Sequence, residues 1–129
     1  MPNKFTVEII SPDQTILKKE TSEVIIPSYE GLMGILKDHI PLITFLRPGF
    51  ITIKDEEEKR YYVEEGTVEF SDNNLLILTS TIKDLANFDK NIIDDLLQKA
   101  ETKLKSAEIS DKDKYLTSYK INTLREINR

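Results

Sequence analysis

Residues 28–53 read SYEGLMGILKDHIPLITFLRPGFITI, and this stretch decides the fold. It places three glycines, two prolines and the only histidine of the chain between apolar runs. Glycine suits a backbone that takes positive φ or passes close to a neighbour, and proline ends a strand ladder or pre-sets a turn. Eight large apolar side chains are too many for a solvated linker, so the stretch predicts short strands joined by packed turns: Met33, Ile35, Leu36, Ile40, Leu42, Ile43, Phe45 and Leu46.

The rest of the chain up to about Thr81 carries the same strand signals. Apolar residues alternate with polar ones, as at Phe5, Val7 and Ile9, or form short runs such as residues 75–78. Turn residues separate these runs at positions 11–13, 47–49, 54–59 and 71–74. Many short strands at roughly 8–12-residue spacing indicate an all-β sandwich or barrel rather than alternating strands and helices.

The hydrophobic period changes after Asp84. Apolar residues then recur at steps of three and four, which places them on one stripe of a helix: Phe88, Ile92, Ile93, Leu96, Leu97, Ala100 and Leu104. Asn87 or Asp89 is the candidate N-cap of this helix. The sequence therefore predicts an amphipathic helix directly after the strands.

A second helix is predicted after a polar break at residues 106–110. Ser110 and Asp113 have the spacing of a capping box, and the helix reaches toward Asn128. Its apolar residues are scattered around the circumference, so we expect it to dock weakly or conditionally. The predicted fold class is α+β, with an all-β sandwich or barrel over residues 1–84 and an antiparallel two-helix hairpin over residues 85–129.

Composition excludes several classes of function. The chain of 129 residues has no cysteine and one histidine, which excludes disulfides, thiolate sites and clusters of histidine ligands. Residues 1–98 hold 10 Lys/Arg against 18 Asp/Glu (net −8) and residues 99–129 hold 8 against 5 (net +3), which gives −5 in total. An acidic body argues against general nucleic-acid binding. No stretch approaches the roughly 18 apolar residues of a membrane span, so we expect a soluble, cytoplasmic protein.

The residue patterns resemble one known family. Gly-x-x-Gly-Ile-Leu-x-x-His-x-Pro-Leu-Ile, Leu-x-Pro-Gly and Phe-Ile-Thr-Ile follow one another within residues 31–53. Residues 5–12 and 65–78 extend the likeness toward both ends of the β-half. Together these patterns resemble the epsilon subunit of bacterial F-type ATP synthases. The resemblance implies a non-catalytic rotor subunit that has no cofactor, no metal and no active site of its own.

The resemblance also implies partners and interface residues. In that family the β-domain binds the gamma subunit at the foot of the central stalk and touches the ring of membrane c subunits. The matching positions are Glu30, Leu32, Met33 and His39, which would lie in or beside turns that face the rotor. Leu32 stands where the family usually has an acidic residue, so we expect an apolar contact there. The subunit would be a peripheral protein on the cytoplasmic face of the bacterial membrane.

The helical hairpin resembles a regulatory arm. In many bacterial relatives it extends along gamma into the catalytic head, meets acidic segments of the beta subunits, with alpha as a further candidate partner, and blocks ATP hydrolysis. Cationic residues suited to such a contact are Lys112, Lys114, Lys120, Arg125 and Arg129. The sequence leaves open whether the hairpin rests compact or extended.

A regulatory ATP site of some family members is degenerate here. That site uses an Ile/Leu-Asp-x-x-Arg-Ala motif at the start of the first helix. Ile93 and Asp94 match it, but Leu97 occupies the arginine position and Gln98 the alanine position. A guanidinium offers phosphate a fork of donors and leucine offers none, so the sequence predicts no tight ATP binding.

Two other classes of function stay open at the level of the sequence. One is a carbohydrate-active enzyme with paired carboxylates, because sequence does not reveal which carboxylates are close in space. The other is a β-sandwich adaptor that binds proteins through a helical tail and has no relation to the ATPase. Activity of the purified chain separates the first from a rotor subunit, and co-purification with a membrane-bound ATPase separates the second.

Overall fold

The computed structural model describes residues 3–127. The strands of this range are β1 (Phe5–Ile10), β2 (Thr15–Thr21), β3 (Glu23–Ser28), β4 (Gly31–Leu36), β5 (Leu42–Leu46), β6 (Gly49–Lys54), β7 (Glu58–Val63), β8 (Gly66–Ser71), β9 (Asn74–Leu78) and β10 (Lys83–Asp84). A short 3-10 turn at Leu85–Asn87 leads to the helices α1 (Lys90–Leu104) and α2 (Asp111–Ile127). The predicted order of a β-half followed by two helices is confirmed.

The strands form one sheet that folds back on itself as a sandwich. Their order is β10-β7-β6-β3-β5-β8-β9-β1-β2, and β4 pairs with β3 outside this path. β3 and β5 share a single register pair, Ser28 with Leu46, so the two layers separate at this corner. One layer holds β10, β7, β6, β3 and β4, and the other holds β5, β8, β9, β1 and β2.

The hydrophobic core fills the space between these layers, because each strand turns alternate side chains inward. In β1, for example, Phe5, Val7 and Ile9 are buried while the residues between them are half-buried. The same alternation in the other strands contributes the remaining buried core: Val24, Ile26, Ile35, Leu46, Ile51, Ile53, Tyr61, Val63, Val68, Phe70, Leu75 and Ile77.

Two turns are tied together at one end of the sandwich. Asp72 and Asn73 connect β8 to β9 with φ of 51° and 60°, as a two-residue hairpin turn requires. The backbone N–H of Asp38 donates to Asn73 Oδ1 at 2.7 Å, and Asn73 Nδ2 donates to Asp38 Oδ1 at 2.9 Å. This reciprocal pair fixes the turn between β4 and β5.

The helices form a compact antiparallel hairpin on the outer face of the first layer. Asp89 caps α1 by accepting from the N–H of Asn91, and Ser110 Oγ accepts from the N–H of Asp113 at 3.1 Å at the start of α2. Three buried side chains join the hairpin to the sheet: Tyr62, Ile93 and Leu124. The predicted caps and pairing of the helices are therefore confirmed.

Residues 28–53 form the predicted short strands, but not all of their large apolar side chains are buried. The strands are present, but Leu36, Ile40, Ile43 and Phe45 are all more than half exposed. Strand alternation sends Leu36 of β4 and Ile43 and Phe45 of β5 outward. Ile40 lies in the turn between these two strands.

Candidate functional site

An apolar surface covers the outer face of the second layer. In the strand register Phe45 lies opposite Thr67, Thr67 opposite Leu78, and Leu78 beside Ile10. In the neighbouring row Ile43 lies opposite Glu69, and Glu69 opposite Leu76. We call the following residues the apolar face: Ile10, Ile43, Phe45, Leu76 and Leu78.

The apolar face is accessible to a partner. Ile43 is 75% exposed, Phe45 55% and Leu78 43%, while Ile10 and Leu76 are half-buried. A groove of about 550 Å³ lies at its edge and is lined by Phe45 and Leu78 together with Pro12 and Tyr29. Thr67 and Glu69 of β8 lie between the β5 residues of this face and those of β9 and β1, so its apolar residues form two neighbouring groups. Grouped exposed apolar residues on a folded domain mark a candidate protein-binding site.

The predicted interface residues lie along β4 and its two flanking turns. Glu30 is exposed in the turn before β4, and Leu32, near the start of the strand, is 71% exposed. Met33 points the other way, is half-buried and packs against the core. His39 follows β4, so the six-residue strand, about 17 Å long, separates it from Glu30. The structure thus brings Glu30 and Leu32 together but places His39 at the opposite end.

His39 is held by its own turn. Its Nδ1 lies 2.7 Å from the carbonyl oxygen of Ile40, and its ring meets the ring of Phe70 edge-on at 5.9 Å. The backbone N–H of His39 donates to the carbonyl of Leu36 at 3.1 Å. These contacts position the adjacent Ile40, which is 74% exposed.

The predicted cationic residues of the arm fall into two groups. Lys112 and Lys114 are exposed in the first turn of α2. Lys120 pairs with Glu64 of the sandwich at 3.2 Å, and Arg125 pairs with Glu101 of α1 at 2.6 Å. Arg129 lies outside the described residues. The closed hairpin therefore already engages two of these cations.

Two residues of the degenerate ATP motif pack in the contact between the hairpin and the sheet. Ile93 is buried against Tyr62 and Leu124, and Leu97 is half-buried against the same cluster. Asp94 is exposed on α1. The side chain at the arginine position of the motif thus contributes apolar contact where a phosphate-binding site would need a cation.

Tyr62 is the most strongly perturbed titratable group at this contact between sheet and hairpin. Its hydroxyl donates to Glu64 Oε2 at 2.9 Å. Burial, with Glu64 as the second cause, raises the pKa of Tyr62 well above its ordinary value. The contact between sheet and hairpin therefore favours the neutral phenol.

The described residues contain no site for metal chemistry and no helix suited to a bilayer. Within residues 3–127 no three His, Cys, Asp or Glu side chains converge as metal ligands. Neither helix in that range is long and apolar enough to cross a membrane. What the geometry offers is a binding surface, and a β-sandwich with an exposed apolar face and a docked helical hairpin defines a protein-docking subunit.

Comparisons with known proteins give the family. A family model described as ATP synthase, Delta/Epsilon chain, beta-sandwich domain matches residues 4–84. The ATP synthase epsilon chain of Pelagibacter ubique (strain HTCC1062) is 47% identical over 130 aligned residues, which cover 99% of this chain and all of the relative. The mitochondrial ATP synthase subunit delta of Schizosaccharomyces pombe is 34% identical over 109 residues, 81% of this chain and 65% of the relative. The chain belongs to the family of ATP synthase delta/epsilon subunits.

Solved structures share the fold. A chain from the Euglena gracilis mitochondrial ATP synthase, in an assembly of OSCP, F1 and c-ring, superposes with a TM-score of 0.82 at 22% identity and covers 100% of this chain and 84% of its own length. A chain from the central stalk and c-ring of the Tetrahymena thermophila mitochondrial ATP synthase gives 0.61 at 18% identity, with 95% and 92% covered. These values show that the sandwich and hairpin are a common architecture.

Sequence reasoning missed the apolar face as a surface. The sequence pattern places Ile43 and Phe45 among the apolar residues of short strands and packed turns, and Leu78 in a strand, but it does not indicate which face of the sheet they occupy. The available signal was the phase of alternation, because buried Thr44 and Leu46 in β5 set Ile43 and Phe45 to the outside.

Proposed function

We propose that this chain is the epsilon subunit of an F-type ATP synthase and joins the gamma subunit of the central stalk to the ring of c subunits. The apolar face is the observation that carries this proposal, because a rotor subunit must hold its shaft through a large permanent contact. Identity of 47% over the full length of an ATP synthase epsilon chain supports the same role.

The two exposed regions suit two partners. We assign the apolar face, centred on Phe45, to gamma. We assign the β4 edge, with Glu30 and Leu32, to the c-ring, where Leu32 makes an apolar contact. His39 contributes by holding the turn that presents Ile40, and Met33 supports the strand from inside.

In this role the chain performs no chemistry and reaches the membrane only through its complex. It requires no cofactor, since catalysis and ion transport belong to other subunits. It lies peripherally on the cytoplasmic face of the bacterial membrane. Leu97 removes the cation of the ATP motif, so isothermal titration of the full chain with ATP should give no micromolar binding signal; such a signal would overturn this part of the proposal.

Binding to the stalk tests the docking role. The full chain, titrated against ATP synthase assembled without its epsilon subunit, should bind, and Phe45→Asp should weaken binding roughly thirtyfold or more, since loss of an aromatic anchor costs about 2 kcal/mol or more. Ile92→Asp is the matched control, because Ile92 is 49% exposed on α1 and lies off the apolar face. Equal weakening by both variants, or none by Phe45→Asp, contradicts the assignment.

We also propose that the hairpin is an inhibitory arm. Its ion pairs, Lys120 with Glu64 and Arg125 with Glu101, are solvent-accessible and contribute about 1 kcal/mol or less each, so they break at little cost. Opening frees these cations, beside the exposed Lys112 and Lys114, for acidic segments of the beta subunits. Removal of residues from Ala107 onward should raise ATP hydrolysis and leave assembly intact. An unchanged rate in the assembled enzyme excludes an inhibitory arm.

A further inference from the structure

Arg47 occupies an unusual place at the corner between the layers. It follows β5 directly, its side chain is 92% buried at 8% relative exposure, and its backbone N–H donates to the carbonyl of Pro27 at 2.9 Å. Its Nη1 donates to the carbonyl of Pro48 at 2.9 Å. Gly49 leaves room for the guanidinium, because a Cβ there would lie 3.0 Å from Nη1 and 2.6 Å from Pro27 Cβ.

The charge of Arg47 is met by an aromatic ring of α2. Its Cζ lies 3.9 Å from the ring centroid of Tyr119. Among residues 3–127 no ion pair joins Arg47 to a carboxylate, and its Nε is buried without a hydrogen-bond partner. A buried guanidinium ordinarily has a carboxylate or a full set of acceptors. The face of Tyr119 and the carbonyl of Pro48 are therefore the contacts that compensate its burial.

Other contacts place the same part of α2 on the same corner. The Tyr115 hydroxyl donates to the carbonyl of Tyr29 at 3.2 Å, and the two rings meet edge-on at 6.3 Å. Tyr115 and Tyr119 are themselves in edge contact at 5.0 Å, one helical turn apart. These contacts hold α2 so that the Tyr119 ring covers Arg47.

We propose that Arg47 and Tyr119 form a latch that sets the balance between the closed hairpin and a released one. A cation over an aromatic face is favourable when both are desolvated, but closing also strips water from Arg47 and leaves Nε unpaired. The favourable contact with the ring and the unfavourable desolvation of Arg47 offset each other. The net free energy of the contact is therefore small, and the contact is easily reversed. The consequence for the enzyme rests on the proposed role of the hairpin as an inhibitory arm.

Hydrogen exchange on the isolated full chain tests the latch without the ATP synthase. Released α2 exchanges quickly, because a poorly amphipathic isolated helix is marginal in water. Tyr119→Leu should raise the exchange rates of α2 amides roughly 3- to 30-fold, the range of a cation–aromatic contact from exposed to desolvated. Amides of β3 should keep their protection. Tyr119→Phe, which keeps the ring, should raise α2 exchange no more than about threefold.

A double-mutant cycle separates a latch from general packing. Arg47→Met and Tyr119→Leu together should raise α2 exchange clearly less than the product of the two single effects, because each removes the same interaction. Tyr115→Phe is the comparison: it removes the hydrogen bond to Tyr29 and leaves the ring on Tyr119, so its effect on α2 exchange should multiply with that of Arg47→Met. If Arg47→Met also speeds the exchange of β3 amides, this substitution disturbs the sandwich itself. The comparison of Tyr119→Leu with Tyr119→Phe then tests the latch without the cycle.

Two results overturn the proposal. One is unchanged α2 exchange in Tyr119→Leu, and the other is Tyr119→Phe behaving like Tyr119→Leu. Binding of the same variants to the stalk reports the docking role separately, because Arg47 and Tyr119 lie off the apolar face. If the variants bind the stalk but α2 exchange does not change as expected, the latch is wrong. If α2 exchange changes as expected but the chain does not bind the stalk, the docking role is wrong.

Discussion

At the scale of single residues, Tyr62 links the sandwich to its hairpin. The ring is 1% exposed, packs against Phe88 with centroids 5.4 Å apart, and shares the buried cluster with Ile93 and Leu124. Its hydroxyl reaches Glu64, which also pairs with Lys120 of α2. One residue of β7 thus combines apolar packing with a polar connection to the same helix.

Tyr62 should make the closed fold sensitive to alkali. Its pKa in the folded chain is raised by burial and by Glu64, whereas the unfolded chain keeps the ordinary value of about 10. Above about pH 10 the unfolded chain therefore binds fewer protons than the folded one, and the free energy of unfolding falls as pH rises. Tyr62→Phe removes this contribution, so its urea-unfolding free energy should fall less between pH 9 and pH 11.

The matched control for the alkaline effect is Tyr29→Phe. Tyr29 is 43% exposed, and this variant keeps the contact between Tyr62 and Glu64. It should retain the pH dependence of the wild-type chain. An equal fall with pH in Tyr62→Phe and wild type contradicts the role given to Tyr62.

The sequence predicts residue roles where the signal is local. Asp89 and Ser110 lie at helix starts, and both cap as expected. Arg47 and Tyr119 are 72 positions apart in the chain, and no pattern within either segment shows that a cation and a ring will meet. Burial of Arg47 depends on the docking of α2, which is a tertiary event.

At the scale of elements, α2 is held by few buried side chains. Leu124 is fully buried in the cluster with Tyr62, while much of the helix surface is exposed. The sandwich, in contrast, has its own core between two layers. Docking of α2 should therefore be lost more easily than the fold of the sheet.

Leu124→Ala should release the hairpin and spare the sandwich. Truncating a buried leucine to alanine lowers the free energy of unfolding by about 2–5 kcal/mol. Because few buried side chains hold α2, a loss of this size should detach the helix. Limited trypsin digestion should then cut α2 much faster, at Lys112, Lys114 or Lys120, while residues of the sandwich stay protected. Ile92→Ala, at a half-exposed site on α1, should leave the digestion pattern unchanged.

The opposite pattern of cleavage would contradict this division of stability. If Leu124→Ala exposes the sandwich to trypsin at the same rate as α2, the two parts unfold as one unit. The hairpin then cannot open while the sandwich stays docked.

Strands and helices were largely predictable because periodicity is a local signal. The pattern of residues 28–53 predicts the strands correctly, and the change of hydrophobic period after Asp84 predicts the helices. The outward direction of Ile43 and Phe45 was missed because apolar character suggested burial, while only the register with β8 and β9 shows which face points outward.

At the scale of the whole molecule, a chain of 129 residues combines two exposed surfaces with a docked helical hairpin. The apolar face lies on the second layer, and the hairpin covers the first layer. In the proposed function, docking of gamma on the apolar face therefore leaves the hairpin uncovered by gamma. The proposed arm could then change position while the subunit stays bound to gamma.

The family of the chain was predictable from residues 28–53, because a long composite of glycine, proline and apolar positions is specific. The location of the apolar face was not, since its residues come from β1, β5 and β9, which are distant in sequence. Only the folded sheet brings these strands to one face, with β8 between β5 and β9.

Photo-crosslinking from position 45 tests the central claim most directly. The chain has no cysteine, so Phe45→Cys carries a photoreactive reagent at a single site, and Glu57→Cys, on the exposed tip between β6 and β7, serves as the matched control. In the assembled ATP synthase we expect position 45 to crosslink to the gamma subunit and position 57 to give no gamma product. A gamma crosslink from position 57 with none from position 45 would contradict docking through the apolar face.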